Sequence, residues 1–329
     1  MKKILAHNFE DITSIENLLE AWREFVCGKR NRKDVQEFQF RLMDNILQLH
    51  QDLANHTYRH GEYQAFNISD PKPRNIHKAS VRDRLLHHAL YRTLYPFFDR
   101  LFIADSYSCR IGKGTHKAIN RFRDFAYQVS KNSTKTVWVL KCDIRKFFAS
   151  VDQNALIKIL RSYVSDQDIM WLLVNIIGSF DSGKNSRGLP LGNLTSQLLV
   201  NIYMNELDQF VKHKLKARHY VRYADDFVIL SQDKKWLADI LPQIKTFLVD
   251  ELSLELHPNK ISIQTIASGV DFLGWVHFPD HRVFRTTAKR RILKKIKKGQ
   301  GNNNMLQSYL GHISHGNTRG LEQVIVIRK

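Results

Sequence analysis

The sequence predicts an α+β fold in which an antiparallel sheet packs on helices, and three observations carry that prediction. Apolar residues recur at helical spacing through the long stretches 15–53, 81–95, 194–216 and 234–251. Short β-rich runs bounded by turn residues lie between them, at 63–79, 137–143, 218–230 and 260–284. The runs Arg218–Arg222 and Phe227–Leu230 flank Tyr223-Ala224-Asp225-Asp226, which reads as a hairpin with adjacent carboxylates at its tip. Neighbouring strand residues face opposite ways, so both acids cannot be core residues, and a turn can present at least one to a bound cation. A bare Asp-Asp between strands is usually a polar turn. A second acid, Asp143, at the end of another apolar strand strengthens the metal reading.

The first helix is expected from a capping box, Thr13-x-x-Glu16, with Ile15, Leu18, Leu19, Trp22, Phe25 and Val26 on one face. Gly28–Lys33 is a basic loop, either solvated charge or a phosphate contact. A second helix runs from about Asp34 with the stripe Val35, Phe38, Leu42, Ile46, Leu49 and Leu53. Residues 63–79 form a hairpin whose turn, Ser69–Pro73, carries two prolines and leaves Lys72, Arg74 and Lys78 on an exposed finger suited to a triphosphate. A helix from Val81 to Tyr95 is expected to stop at Pro96. Ser106–Gly114 is a glycine-punctuated basic loop leading into a helix near Thr115. Such a loop can bind phosphate, but it lacks the spacing of an NTPase P-loop. Val137–Asp143 is a buried strand, helices occupy 153–177, and a glycine-rich turn at Ser186–Asn193 opens a helix from Leu194 to Lys216. A helix spans Lys234–Glu251, and strands are expected at Lys260–Thr265, Phe272–Phe278 and Arg282–Phe284. Arg285–Lys298 has eight Lys/Arg and no acid and reads as a basic helix. One or two short helices are expected beyond it.

The charge narrows the function. Among 329 residues, 51 are basic and 32 acidic, a net charge of +19. That excess points to a polyanion partner and not to a membrane, since no lipidation motif or apolar span is present. Cys27, Cys109 and Cys142 are scattered without C-x-x-C spacing and read as reduced thiols. Together with the lack of an apolar leader, they make the cytoplasm the expected compartment. Concentrating acids at one place in so basic a chain makes sense if Asp143, Asp225 and Asp226 converge. Their mutual repulsion then calls for a cation. Two Mg²⁺ ions, held by few carboxylates and by substrate phosphates, would activate a hydroxyl and stabilise a pyrophosphate leaving group, with Mn²⁺ as a substitute.

Asp143-x-x-x-x-Phe148, a glycine-rich turn into a helix, Tyr223-Ala-Asp-Asp226 and Lys260 together resemble, in order, the motifs of a reverse transcriptase palm. Val81-Arg-Asp-Arg84, Ser106-Tyr-Ser-Cys-Arg110, Gly112-Lys-Gly114 and Asp271-Phe-Leu-Gly-Trp275 are similar to fingers and primer-grip motifs of the prokaryotic, intron-like branch, and the resemblance covers residues 15–300. It implies a right-hand polymerase fold. N-terminal helices and fingers would span 1–135, the palm with its antiparallel sheet 136–278, and a small helical thumb with the tail 279–329. It implies Asp143, Asp225 and Asp226 as catalytic residues and metal ligands, with the Ile144 carbonyl a further contact and Asp226 further from the metals. Phe148 would lie under the incoming sugar and select dNTPs, or be an ordinary core aromatic beside Phe147. Arg74 and Lys72 would bind the triphosphate. Lys260 would be a general acid or simply a charge, and Tyr223 would contact the primer end.

The turn Gly188-Leu-Pro-Leu-Gly-Asn-Leu-Thr-Ser-Gln197 distinguishes subgroups. Most relatives carry Gln where this chain has Leu191, and Ser-Pro where it has Ser196-Gln197. An aliphatic residue before Gly192 together with Ser-Gln resembles the reverse transcriptases of diversity-generating retroelements. That family copies a template-repeat RNA into cDNA with errors at adenines and works with a small basic accessory protein. Leu191, Gly192 and Gln197 would then border the nascent base pair. Polar contacts discriminate more strongly than aliphatic packing, so Leu191 predicts low fidelity, although adenine selectivity does not follow from it. Lys289, Arg290, Arg291, Lys294 and Lys295 are expected to hold an RNA–DNA duplex by its backbone. A retron or group II intron-type enzyme, or a non-catalytic RNA-binding module on the same fold, are the alternatives. Prokaryotic or phage origin follows from the same resemblance.

Overall fold

The structure is a computed structural model that describes residues 3–69, 73–183, 186–297 and 303–318. The chain divides into two compact units, one of residues 1–103, 145–210 and 246–255, the other of 104–144, 211–245 and 256–329.

The first unit starts with helix α1 (Phe9–Thr13), which the sequence reading did not foresee. Asn8 and Asp11 form the capping box there, each side chain accepting from the other's backbone N–H at 3.0 and 2.9 Å. Helix α2 (Ile15–Phe25) is capped by Ser14, not by Thr13, whose hydroxyl instead donates to the Phe9 carbonyl at 3.1 Å. Leu18, Trp22 and Phe25 of the predicted stripe are buried. The expected second helix is two, α3 (Lys33–Phe40) and α4 (Leu42–Ala54). They separate at Arg41, which leaves helical geometry at φ −121° and ψ 45°, while Val35, Ile46, Leu49 and Leu53 all remain buried.

Strands β1 (Gln64–Ile68) and β2 (Arg74–Lys78) pair antiparallel with Gln64 opposite Lys78 and Ile68 opposite Arg74. Lys72 lies outside the described residues. Helix α5 runs from Val81 to Asp99 and so passes the expected stop at Pro96. Proline removes one helical N–H bond, but Leu94, Tyr95 and Phe98 are buried around it, and their packing holds the last turn.

Helix α6 (Thr115–Val129) and strand β3 (Trp138–Asp143) belong to the second unit. The chain then returns to the first unit. Its short helix α7 (Phe147–Ser150) is followed by α8 (Gln153–Arg161) and α9 (Gln167–Gly178), capped by Asp152 and Asp166, and by α10 (Leu194–Gln209). The helix predicted to continue to Lys216 closes in a π-turn at Phe210–Lys214. Strands β4 (Tyr220–Tyr223) and β5 (Asp226–Ser231) form the acidic hairpin, and α11 spans Lys234–Leu252. Strands β6 (Ser262–Thr265), β7 (Val270–Phe272), β8 (Trp275–His277) and β9 (Arg282–Phe284) precede α12 (Thr286–Lys297) and α13 (Asn303–Ile313).

In the second unit a four-stranded antiparallel sheet has the order β4-β5-β3-β6, and β7-β8-β9 form a second sheet. The strand expected over Phe272–Phe278 is therefore broken. Leu273 and Gly274 take left-handed backbone, φ 52° and 86°, making the two-residue loop that turns β7 back onto β8. The core joins Phe122, Phe125 and Val129 of α6 to Val139, Val221, Val228 and Phe272 of the strands. A second cluster seats Ile292 of α12 and Ile313 of α13 on Trp275 and Phe284. No helix among the described residues is long and apolar enough to cross a membrane.

Candidate active site

Strand register assembles the acids. Along the β3–β5 ladder Cys142 faces Phe227 and Asp143 faces Asp226, so two carboxylates stand directly opposite at the end of the ladder. Asp226 also pairs with Tyr223, which leaves Ala224 and Asp225 as a two-residue turn. Asp225 thus occupies the tip and Asp226 the first strand position. Ala224 carries left-handed backbone, φ 55°, a conformation that residues with a Cβ adopt reluctantly. Two further segments close around this end. The Ile144 N–H donates to the Asp225 carbonyl at 3.2 Å, and the His257 N–H to the Asp143 carbonyl at 2.7 Å.

The charges are compensated locally. Lys260 Nζ donates to Asp143 Oδ1 at 2.7 Å. Lys141 Nζ lies 3.9 Å from Asp226 Oδ1 and donates to the Asp271 carbonyl at 2.5 Å, and Asp271 in turn pairs with Arg285. The Asp226 side chain is 24% exposed, yet its Oδ1 is buried and has no hydrogen-bond partner. Burial pushes the Asp226 carboxyl up to about 6; Lys141 opposes this and the Asp143 and Asp225 charges add to it. Repulsion among these acids and an orphaned buried oxygen are what a cation would relieve.

Among the described residues no three His, Cys, Asp or Glu side chains gather tightly enough to ligate one ion by themselves. Magnesium takes one or two carboxylates plus substrate oxygens, so the Asp143–Asp226 pair beside Asp225 fits the donor set that such an ion uses. Ile144 lies next to the pair through its backbone.

Two residues at this site escaped the sequence reading. Lys141 is two positions before Asp143 and therefore on the same face of β3, a signal that period-2 alternation could have supplied. Arg222 is fully buried, with Nη1 donating to the Ala224 carbonyl at 3.1 Å and Nη2 to Ser106 Oγ at 3.0 Å. It clamps the acidic turn to the Ser106–Arg110 loop, whose Tyr107 N–H bonds the Arg222 carbonyl at 3.0 Å. A buried arginine in a strand carries no sequence signal that separates it from a surface one. The predicted phosphate loop ends at Thr115, whose hydroxyl donates to the Tyr223 hydroxyl at 3.2 Å.

In the first unit, Phe147 is buried and Phe148 half-buried, and the Phe148 carbonyl accepts from the Leu189 N–H at 2.8 Å. The hairpin docks on the glycine-rich turn: the His77 N–H donates to the Leu191 carbonyl at 3.0 Å, and the Asn193 amide to the His77 carbonyl at 2.9 Å. Gly192 sits at φ 109°, where an added Cβ would lie 2.9 Å from Ile76 Cγ2. Gly192 and Gln197 line a cleft of about 310 Å³ with Lys29, Arg32, Lys78 and Arg84. Asp34 pairs with both Lys78 and Arg84 at 2.6 Å. Leu191 is half-buried, and Arg74 is exposed at the far end of β2. In the second unit, α12 buries Ile292 and exposes Lys289, Arg290, Arg291 and Lys294, with Lys295 half-buried.

The reverse transcriptase (RNA-dependent DNA polymerase) family matches residues 68–277. Protein YkfC of Escherichia coli is 28% identical, over 71% of this chain and 70% of that protein. The group II intron-encoded protein LtrA of Lactococcus lactis is 22% identical over 78% of this chain, which spans about half of LtrA, 52%. Two solved telomerases share the fold at 13% identity and a TM-score of 0.50: the apo enzyme from Candida tropicalis, covering 74% of this chain and 60% of that one, and the Candida albicans enzyme with a telomeric RNA fragment, covering 69% and 45%. Their likeness shows a right-hand polymerase fold. The matched stretch holds the opposed acids, the Arg222 clamp and the glycine-rich turn, and the chain belongs to the reverse transcriptase family, the RNA-dependent DNA polymerases.

Proposed function

We propose that the protein copies a template-repeat RNA into cDNA with low fidelity at adenines, for mutagenic retrohoming that diversifies a target gene. The observation that carries the polymerase part is the Asp143–Asp226 opposition beside Asp225 at one sheet end. Asp143 and Asp225 would hold divalent cations, with Asp226 and the Ile144 carbonyl as further contacts; Mg²⁺ is the species proposed, with Mn²⁺ as its substitute. Such ions, when bound, supply a lowered pKa for the primer hydroxyl and charge neutralisation at the leaving pyrophosphate. The protein's own residues do the positioning. Arg222 holds the turn that carries Asp225, and Tyr223, oriented by Thr115, contacts the primer end. Lys260 serves as the charge beside Asp143, the role its ion pair favours over that of general acid. Phe148 limits the space at the sugar, Arg74 and Lys72 bind the triphosphate, and the exposed cations of α12 hold the RNA–DNA duplex. Fingers at 1–135, palm at 136–278 and thumb at 279–329 are the division of labour this reading assigns.

Leu191 and Ser196-Gln197 support the error-prone subgroup, in which a small basic accessory protein is a partner and the cytoplasm of a prokaryote the setting. The match to LtrA favours a second reading, a group II intron-type enzyme. Primer extension on an RNA template separates the possibilities. Asp225→Ala/Asp226→Ala is expected to reduce dNTP incorporation to background. Incorporation absent from the unmodified protein would leave only an RNA-binding module. Leu191→Gln restores one polar contact of about 1 kcal/mol, so misincorporation opposite adenine is expected to fall about fivefold; an unchanged error spectrum would remove the support that Leu191 provides.

A further inference from the structure

Arg282 begins β9 in the second unit, yet only 9% of it is exposed. Its Nε donates to the His315 carbonyl at 2.5 Å and Nη2 to Asn120 Oδ1 at 2.9 Å. Nη1 is buried and has no hydrogen-bond partner. The guanidinium lies over the Trp275 ring, 5.6 Å from its centroid, and no acid forms an ion pair with it: Asp124, whose charge still reaches it, lies 3.7 Å from Arg123, and Asp280 lies 2.7 Å from His281. Burial, with the like charge of Arg123, presses the Arg282 pKa below the ordinary guanidinium value. A buried cation bonded only to neutral oxygens, with one donor unused, is costly unless an anion completes it.

Arg282 lines a cleft of about 210 Å³ together with Arg123, His277, His281, Asn317 and one acid, Asp280, whose charge is paired with His281. Ile266, also in its wall, follows Thr265, which pairs with Trp138 at the opposite end of β3 from Asp143. Five residue steps along the strand, about 17 Å, separate those two ends. The lining carries donor-bearing groups on several separate side chains, Arg282, Arg123, His281 and Asn317, a set that suits a tetrahedral oxyanion better than a planar carboxylate, which one guanidinium fork would satisfy. In a chain of net charge +19, phosphate is the anion that the rest of the surface also attracts.

We propose that this cleft is a phosphate-group site apart from the acidic site, filled either by a phosphodiester of bound RNA or by a free phosphate. The proposal does not rest on the polymerase reading, and its test needs neither metal nor dNTP. Thermal unfolding of the full chain in inorganic phosphate is compared with sodium chloride at equal ionic strength. At ten times the Kd the midpoint should rise by about 2 °C. Arg282→Lys, which keeps the charge but loses the fork, should abolish the rise. Arg123→Ala and His281→Ala, both at the rim, should each require severalfold more phosphate; they carry the test if Arg282→Lys does not fold. Equal midpoints in phosphate and chloride, or an undiminished rise in both rim variants, would overturn the proposal. So would a rise produced by an acidic peptide and not by phosphate. An RNA oligonucleotide then identifies the source. If the site takes its backbone, phosphate competes with RNA, and Arg123→Ala lowers the salt slope of RNA binding by about one. If the source is free phosphate, the rise persists on RNA-saturated protein and the slope stays unchanged.

Discussion

Ala224 is the residue at which backbone and chemistry meet. Its φ of 55° places a Cβ in the left-handed region, and the Arg222 Nη1 bond to its carbonyl holds it there. Strain of this kind persists where the surroundings over-determine it, and it often marks a functional turn. Ala224→Gly is expected to stabilise the folded protein by about 0.5–1 kcal/mol, the left-handed cost removed less the extra freedom of the unfolded chain. Urea unfolding measures this, and a lower midpoint would mean that the turn is unstrained. Single residues also show where sequence reading stops. Asp143, Asp225 and Asp226 were legible because acids at strand ends stand out in an apolar context. Arg222 was not, because its importance lies in the turn carbonyl it bonds, and Lys141, although alternation puts it on the face of Asp143, shows its role only through the Asp226 carboxylate 3.9 Å away.

Among the elements, α12 is the one whose function is written in its composition. Ile292 anchors it while Lys289, Arg290 and Lys294 remain exposed, so those cations are available to a polyanion without loss of packing. Replacing the three by Gln is expected to flatten the dependence of log K on log salt for an RNA–DNA duplex by about two to three units, with little change in stability. Filter binding across a salt series measures it, and an unchanged slope would move the duplex contact elsewhere. Boundaries of other elements were less legible. The stripe from Val35 to Leu53 remains in phase across Arg41, so periodicity alone could not reveal the break between α3 and α4. Pro96 would end an isolated helix, but α5 is held by buried Leu94, Tyr95 and Phe98 on both sides of it.

At the scale of the whole molecule, each unit contains buried imidazoles that fold in the neutral form. Burial, with the neighbouring His60, lowers His87 to about 3 in the first unit, and burial lowers His277 to about 4 in the second. Both lie below the ordinary value of 6.5, so the unfolded chain takes up protons first as the pH falls. Their contribution to stability is complete above about pH 6.5 and is lost on acidification towards 4, about 2 kcal/mol for each by pH 5. Asp226, raised to about 6 when folded, takes up a proton there and offsets part of this loss, so the informative comparison is with His277→Phe, which keeps the ring against Phe122: its urea midpoint should fall less between pH 7.5 and 5.0 than that of the unmodified protein. An equal fall in the variant and the unmodified protein would mean that His277 is hydrated.

The sequence alone determined the α+β class, the order of the main helices and strands, the acidic hairpin and the family resemblance, because periodicity, turn chemistry and the spacing of acids are local properties of the chain. Only the tertiary structure decided that Asp226, and not Asp225, faces Asp143, because that depends on the register between strands more than 80 residues apart. It likewise decided that Lys141 and Arg222 belong to the site and that Arg282 is a buried cation. Burial and partners are set by what the rest of the chain brings alongside, and no residue carries that information in its own type.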